Sequence, residues 1–444
     1  MQSNLDPTPP LQPQWPRRNL SLGILLSANL VCFADRYMPA AVVPGLRHDI
    51  FGDPSHYWGP VAFLVHLMQP LLGANPENTL LGLLSMAFMV TYMLGAPIGS
   101  ALKVHRWYII GVGLIVWSFA SGGSGMAASF EMMLLTRMLV GVGEAAYGPI
   151  APTMIAEMFP SSVRASALAM YQATTPIGSA IAYGVGMYVM AKYDWRWAFY
   201  IAAAPGFFVG IACFFMEDPG HKPAAAEEKR QSWKETMAEF TACLRNRSYV
   251  YNVLAASAMT FAIGGIGFWI PDYIVEFRHV GNVEVVGLIF GAILAVGGLG
   301  GTVVGGWLSD RKNRTDKSAY MTTSAWAMFV AGIFSVAMLF VPFPYAWGLM
   351  AVAVFFLFFN TGSNSAIITN VTAPEMRASA FALSIFITHA LGDVISPFVI
   401  GIITDATGSM NIAFLAVSGA IGLSSILWWF GAPHLAADSQ HTSK

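Results

Sequence analysis

Charge is what this sequence has least of. Asp, Glu, Lys and Arg make up 11% of its 444 residues, 23 basic side chains against 24 acidic ones, where soluble globular chains carry about a quarter. So few charges do not cover the surfaces of the two or three water-soluble domains that this length suggests. A net charge of −1 also lacks the basic stripes that neutralise nucleic-acid phosphate, so no nucleic-acid partner is expected. Cysteine is nearly absent. Cys32, Cys213 and Cys243 are scattered, two of them in apolar runs, which gives neither a disulfide framework nor a zinc spacing. No nucleophile–base or metal-ligand constellation stands out, so no enzyme, metal or cofactor is expected. No cleavable secretion signal is read at the start.

What is abundant is apolar. Hydrophobic residues are 56% of the chain, with 43 Gly and a mean hydropathy of +0.58. Runs of about 20 apolar residues mark membrane-spanning helices, and twelve are predicted: 19–43, 79–101, 107–128, 131–156, 165–190, 195–215, 249–275, 284–307, 318–341, 345–369, 378–403 and 410–432. The expectation is an all-α membrane protein of twelve transmembrane helices in two six-helix bundles, 19–216 and 249–432. A Pro- and Gln-rich start (1–18) reads as disordered. A central loop (217–248) with a surface helix joins the bundles, and a tail (433–444) follows. The stretch 51–78 is an insertion between the first two spans; its apolar part, Val61 to Leu72, suits the membrane surface or the outer mouth.

Positive charge gathers on the cytoplasmic side of membrane proteins. With the amino terminus inside, 17 of the 23 Lys and Arg residues fall in inner segments and four outside; the other two, Arg36 and Arg137, are within helices. Both termini are therefore expected in the cytoplasm and the chain in the inner (plasma) membrane. An internal repeat supports the two bundles: Arg164-Ala-Ser-Ala-Leu-Ala-Met opens the fifth span and Arg377-Ala-Ser-Ala-Phe-Ala-Leu the eleventh, each after a proline, Pro160 or Pro374.

Charges within the spans are the functional candidates, because each costs several kcal/mol at mid-membrane unless it faces a cavity or a partner. The first span carries Asp35-Arg36-Tyr37 and the fourth Arg137 and Glu144. Seven residues apart, Arg137 and Glu144 share a helix face about 10 Å apart in height. Asp35 and Arg137 lie at matching depths, so they can pair, with Glu144 deeper. Asp393 and His389 are weaker titratable candidates in the eleventh span. Tyr37, Tyr147, Trp269 and Tyr273 are candidate cavity residues; Trp269 and Tyr273 also suit an interfacial aromatic belt.

After the eighth span comes Gly306-Trp-Leu-Ser-Asp310-Arg311-Lys-Asn-Arg314. It resembles the loop signature of the major facilitator superfamily, in which the Asp faces a helix amino terminus and the Arg reaches an acidic partner, latching the cytoplasmic side. Gly306, Asp310 and Arg311, with Arg164 and Arg377, are the gate residues this resemblance implies. The matching first-half loop, Gly99 to Arg106, has Lys103 in place of the Asp, which predicts a weaker latch there. Asp35-Arg36, Arg137 with Glu144-Ala145, Phe159-Pro160 before Arg164, and Gly392-Asp393 with Pro397 resemble the Spinster family within that superfamily; the 51–78 insertion is longer than its members usually carry. Spinster members are proton-linked carriers or exporters of lysolipids and sphingosine phosphate. The resemblance thus implies a proton-coupled secondary transporter working by alternating access; a monomer is expected. Asp35 and Glu144 would couple to protons, with Arg137 switching between them. The substrate expected is an amphiphilic or organic anionic small molecule, lysolipid-like by resemblance alone. Drug-type efflux, organic-acid uptake or a non-transporting membrane sensor are the other readings.

Overall fold

The computed structural model describes residues 17–51, 57, 59–73, 76–101, 104–218 and 233–441. Residues 1–16 of the expected disordered start, Lys103 and residues 219–232 of the central loop lie outside them, and Arg18, expected in the disordered start, already begins the first helix.

Among the described residues all regular structure is helical. In the first half, α1 (Arg18–Ile50) leads to α2 (Gly59–Leu72), then to α3 (Glu77–Ala101), α4 (Arg106–Gly125), α5 (Phe130–Ala145), α6 (Ile150–Met158), α7 (Ser161–Lys192) and α8 (Trp195–Cys213). A surface helix, α9 (Trp233–Arg245), precedes the second half: α10 (Arg247–Asp272, continued by one π turn to Phe277), α11 (Val283–Asn313), α12 (Ala319–Phe340), α13 (Tyr345–Leu357), α14 (Thr361–Val371), α15 (Arg377–Leu391), α16 (Ser396–Thr407) and α17 (Met410–His441). Ten described segments are long and apolar enough to cross a bilayer. The pair α5–α6 and the 32-residue α7 supply the other two of twelve spans.

Three spans are broken, two of them beside a proline. Between α5 and α6 stand Gly148 and Pro149; proline has no N–H to continue the ladder and pushes its predecessor out of the helical region. Pro397 sits in the first turn of α16, just after the break that follows α15. The break between α13 and α14 is a 3-10 turn at Phe358–Asn360. Starts are fixed by side chains: Ser129 Oγ accepts from the Met132 N–H, Asn246 Oδ1 from Tyr249 and Asn282 Oδ1 from Val285, filling donors that a helix leaves orphaned.

Helix lengths differ from the sequence expectation where polar residues continue a helix past the hydrocarbon. The 33 residues of α1 rise about 50 Å, against a core of about 30 Å, so Arg47, His48 and Asp49 in its last turn stand beyond the apolar run. Likewise α11 runs on to Asn313, placing Asp310 and Arg311 on a helix rather than a loop, and α17 reaches His441 where a tail was expected.

Within the first half α1 packs on α7, α3 on α5 and α4 on both α5 and α8; within the second, α10 and α12 pack on α17, and α11 and α12 on α13. The halves meet through α7 on α11, α3 on α16 and α1 on α10. We call the end bearing Arg18, Arg164, Arg311 and Arg377 the basic end, and its opposite the far end. The cross-half contacts lie toward the far end. There the backbones touch: a Cβ added at Gly287 would collide with the Tyr183 carbonyl of α7, and one at Gly82 with the Pro397 carbonyl of α16.

Candidate functional site

The charged centre is built by α1, α4 and α5. Asp35 and Arg36 are consecutive on α1, so about 100° of helical rotation aims them at different neighbours. Asp35 is completely buried. Its Oδ2 accepts from Trp117 Nε1 at 2.7 Å and lies 3.6 Å from Arg137 Nη1, and its Oδ1 accepts from Ser121 Oγ. Arg137, 2% exposed, donates from Nε and Nη2 to Ser124 Oγ at 3.1 and 2.8 Å, and its guanidinium lies 5.1 Å from the centre of the Phe199 ring. A buried ion pair of this kind persists only when its remaining donors and acceptors are filled, and Trp117, Ser121 and Ser124 fill them. Close approach of α4 and α5 makes this reach possible: a Cβ at Gly143 would stand 2.7 Å from Trp117 Cβ.

Sequence reasoning brought Asp35 and Arg137 together, and the structure places them so. It gives Glu144 a different partner. Arg36, not Arg137, donates to Glu144 Oε2, from Nη2 at 2.7 Å and from Nε at 3.2 Å. Both bonds go to one oxygen, leaving Oε1 outside the ion pair. The reason is height. Two helical turns separate Glu144 from Arg137, whereas Arg36 points to the side of α1 that Glu144 faces. Three aromatic rings surround its guanidinium, Phe33 at 4.7 Å, Tyr92 at 4.8 Å and Phe88 at 5.2 Å, an arrangement that holds a cation by its ring faces. The signal available in the sequence for the missed partners was the spacing of Trp117, Ser121 and Ser124, which puts a polar stripe on one face of an otherwise apolar helix.

Arg36, Tyr37, Ser85, Arg137 and, from the second half, Gly264 and Asp393 line a small chamber of about 60 Å³. His389 Nδ1 is 2.8 Å from Asp393 Oδ1, so these two candidates form one pair on the second-half wall. Tyr37 also borders a second, larger cavity of about 540 Å³ that extends toward the basic end between α7, α10, α11 and the α13–α14 break. Its lining is mostly apolar (Ile263, Ile266, Leu294, Leu299 and Phe358 among others), with Gln172, Thr175, Thr302 and Thr361 as polar points. The other aromatic candidates lie elsewhere. Tyr147 is buried and donates to the Leu25 carbonyl at 2.8 Å; Trp269 Nε1 donates to the Pro397 carbonyl at 2.9 Å; Tyr273 donates to Asn411 Oδ1 at 2.6 Å. Each has its polar atom committed to packing, away from the cavity lining.

The profile of the Major Facilitator Superfamily matches residues 25–397. Over 411 residues the chain is 30% identical to the sphingosine-1-phosphate transporter SPNS2 of Xenopus tropicalis, covering 88% of this chain and 75% of that one. Over 420 residues it is 30% identical to the protein spinster homolog 1 of Bos taurus, covering 87% and 73%. This chain belongs to the Spinster family of the major facilitator superfamily. Its fold agrees: the crystal structure of a bacterial homolog to the human lysosomal transporter Spinster, in an inward-facing and unoccupied conformation, superposes with a TM-score of 0.75 at 18% identity, over 95% of this chain and 98% of that one. The relatives are transporters, and this is a multi-pass membrane transporter rather than an enzyme.

In this Spinster protein the signature after the eighth span is not engaged as the superfamily resemblance implied. Asp310 accepts from Tyr320 Oη at 2.9 Å, and the Arg311 guanidinium lies 5.5 Å from the centre of the Trp307 ring instead of reaching an acid. Helix extension is the cause, since it carries both residues along α11 past the loop. Gly306 faces open space. Arg164 Nε donates to the Phe159 carbonyl at 3.3 Å, and Arg377 is exposed at the start of α15. The first half has a different basic-end anchor. Arg106 donates to both oxygens of the buried Asp218, Nε to Oδ2 at 2.7 Å and Nη2 to Oδ1 at 2.6 Å, and from Nη2 to Glu157 at 2.8 Å. This fork ties the start of α4 to α6 and to the chain after α8.

Proposed function

We propose that this Spinster protein is a proton-coupled transporter working by alternating access, and that its substrate is an amphiphile with an anionic head. The observation that carries the reading is the placement of Arg36. It neutralises Glu144 in the first half while also lining the chamber, and its neighbour Tyr37 borders both that chamber and the larger apolar cavity. An anionic head drawn to Arg36 competes with Glu144 for the same guanidinium. A buried carboxylate that loses its counter-charge is expensive to keep ionised, so Glu144 takes a proton as the substrate binds. Arg36 itself cannot give up its proton and responds only by changing partner. The Asp35–Arg137 pair, fully supported by Trp117, Ser121 and Ser124, acts as the fixed wall against which that exchange happens. The cavity bordered by Tyr37 is lined mostly by apolar side chains, which suits an acyl tail, and the sphingosine-1-phosphate named for the Xenopus relative has this head-and-tail character.

The basic end is assigned to the cytoplasm by its charge, both termini with it, in the plasma membrane. The far end is closed by cross-half contacts and the large cavity lies on the cytoplasmic side, which supports an inward-facing state of an alternating-access cycle. The test is uptake or efflux in proteoliposomes under an imposed pH gradient, with a lysophospholipid, a sphingoid phosphate and an aromatic acid as substrates. Gradient-dependent flux of an anionic amphiphile is expected. Flux indifferent to the gradient overturns the coupling, and flux of the aromatic acid alone overturns the substrate class.

A further inference from the structure

The far end holds a polar chain that the central site does not use. Arg47 Nη2 of α1 donates to Asp272 Oδ2 of α10 at 2.7 Å and to Asn78 Oδ1 of α3 at 2.8 Å. Asn78 Nδ2 in turn donates to Asp405 Oδ1 of α16 at 2.6 Å. Asp405 accepts three more bonds from the start of α3: the Asn78 N–H at 3.3 Å on Oδ1, and the Thr79 N–H at 2.7 Å and Thr79 Oγ at 2.6 Å on Oδ2. The links alternate between halves, from α10 to α1 and α3 and then to α16. Asp272 is fully buried.

Asp405 therefore caps a helix that belongs to the other half. The first-turn N–H groups of α3 have no partner within their own helix, and a carboxylate is favoured at that positive end. Asn78 is the joint. An amide both accepts and donates, so Asn78 can stand between the cation Arg47 and the anion Asp405. Backbone contact brings the pieces this close: a Cβ at Gly401 would collide with the Asn78 carbonyl. The Arg47–Asn78 bond lies within the first half and survives when the halves rock apart, but the bonds from Arg47 to Asp272 and from Asn78 and Thr79 to Asp405 must break.

We propose that Asp405 and Asn78 are the keystone of a latch that holds the far end shut, and that its release is the step that opens that end. The latch acts on conformation and stands whether or not the central site couples to protons. Asn78→Asp keeps the size but removes the donor and sets a second carboxylate against Asp405; Asp405→Ala removes the cap.

The test is a distance measurement by pulsed electron spin resonance on the full chain in nanodiscs, without substrate or pH gradient. Spin labels are placed at Tyr193→Cys and Tyr345→Cys, far-end positions in opposite halves that are each 75% exposed; the native cysteines are buried, and the chain without the added cysteines is the labelling control. The otherwise unaltered chain is expected to show one short-distance population. In Asn78→Asp and Asp405→Ala a longer-distance population becomes the majority. Thr79→Val, which deletes only the hydroxyl bond, shifts a smaller fraction and serves if the stronger variants do not fold. A distance distribution unchanged in folded Asn78→Asp or Asp405→Ala, or in Thr79→Val where those fail to fold, overturns the latch.

Discussion

Arg36 Nη2 lies 2.7 Å from Glu144 Oε2, and the Glu144 side chain is fully buried while Arg36 keeps 16% of its surface accessible. The pair is thus asymmetric: the base can reach the chamber, and the acid cannot follow it. That asymmetry makes the two single variants behave differently. Arg36→Ala strands a buried carboxylate and is expected to cost roughly 3–5 kcal/mol. Glu144→Gln leaves a neutral acceptor for Arg36 and costs less. Thermal unfolding of both singles and the double variant checks this. The double should recover stability relative to Arg36→Ala, a coupling read directly from the cycle. Additive losses would mean the two residues do not interact as described.

Asp35 is held by three neighbours, so its neutral analogue should keep its shape. Asp35→Asn is expected to fold but to impair gradient-driven transport, because Arg137, left without its counter-charge, no longer holds the wall against which Arg36 and Glu144 exchange. Trp117→Phe separates support from charge. It removes the 2.7 Å bond to Asp35 and is expected to cost about 1–3 kcal/mol, the penalty of a buried acceptor losing a partner, while gradient dependence persists in weakened form. Transport at matched expression, with unfolding temperature alongside, distinguishes the two. Wild-type proton dependence in Asp35→Asn would assign this residue to packing alone.

The span count, the division into halves and the Asp35–Arg137 pair were legible in the sequence because each rests on a strong local term. Apolar length sets the spans, and the cost of an intramembrane charge singles out its owner. What the sequence did not reveal depends on rotation and height between helices. Arg36 and Asp35 are adjacent in sequence yet serve different partners, and nothing in one strand of text says which of them faces Glu144. The same holds for Asn78 and Asp405, separated by 327 positions and brought together only by the crossing of α3 on α16. Tyr147, Trp269 and Tyr273 failed as cavity candidates for the opposite reason: their residue type suits a binding site, but a buried hydroxyl or indole N–H is equally well used in holding helices together.

The basic-end fork predicts an order of damage among inner residues. Arg106 makes three charge-assisted bonds to Asp218 and Glu157, whereas Asp310 accepts one bond from Tyr320. Arg106→Ala strands the buried Asp218 carboxylate and is expected to lower stability by roughly 3–5 kcal/mol, and Asp310→Ala by less. Transport should rank differently if Asp310 engages only when the cytoplasmic side closes: Asp310→Ala then impairs flux more than Lys103→Ala at equal stability. Unfolding temperatures give the first ranking and proteoliposome flux the second. Equal flux losses for Asp310→Ala and Lys103→Ala would remove the asymmetry between the two half-signatures.

The insertion helix α2 should tune access and leave coupling alone. Val61 and Val65 are buried, and the helix packs on α16, the segment that carries Asp405. Phe63, Leu67 and Leu71 are 70%, 64% and 80% exposed, an apolar face turned away from the protein at the far end. Its sequence, Gly59 to Leu72, contains no Asp, Glu, Lys or Arg, so it offers nothing to the ion pairs of the centre. Excising it needs care with the boundary, because Asn78 and Thr79 at the end of the insertion bind Asp405. Replacing residues 59–72 alone with a Gly/Ser link keeps those bonds. Loss of the two buried valines is expected to cost roughly 3–6 kcal/mol, to change substrate affinity or range severalfold, and to leave the pH dependence of flux in place. Flux measured over a pH series, with substrate titrations at each pH, checks both halves of the expectation. PH dependence lost at unchanged affinity would place α2 in the coupling machinery instead of at its outer door.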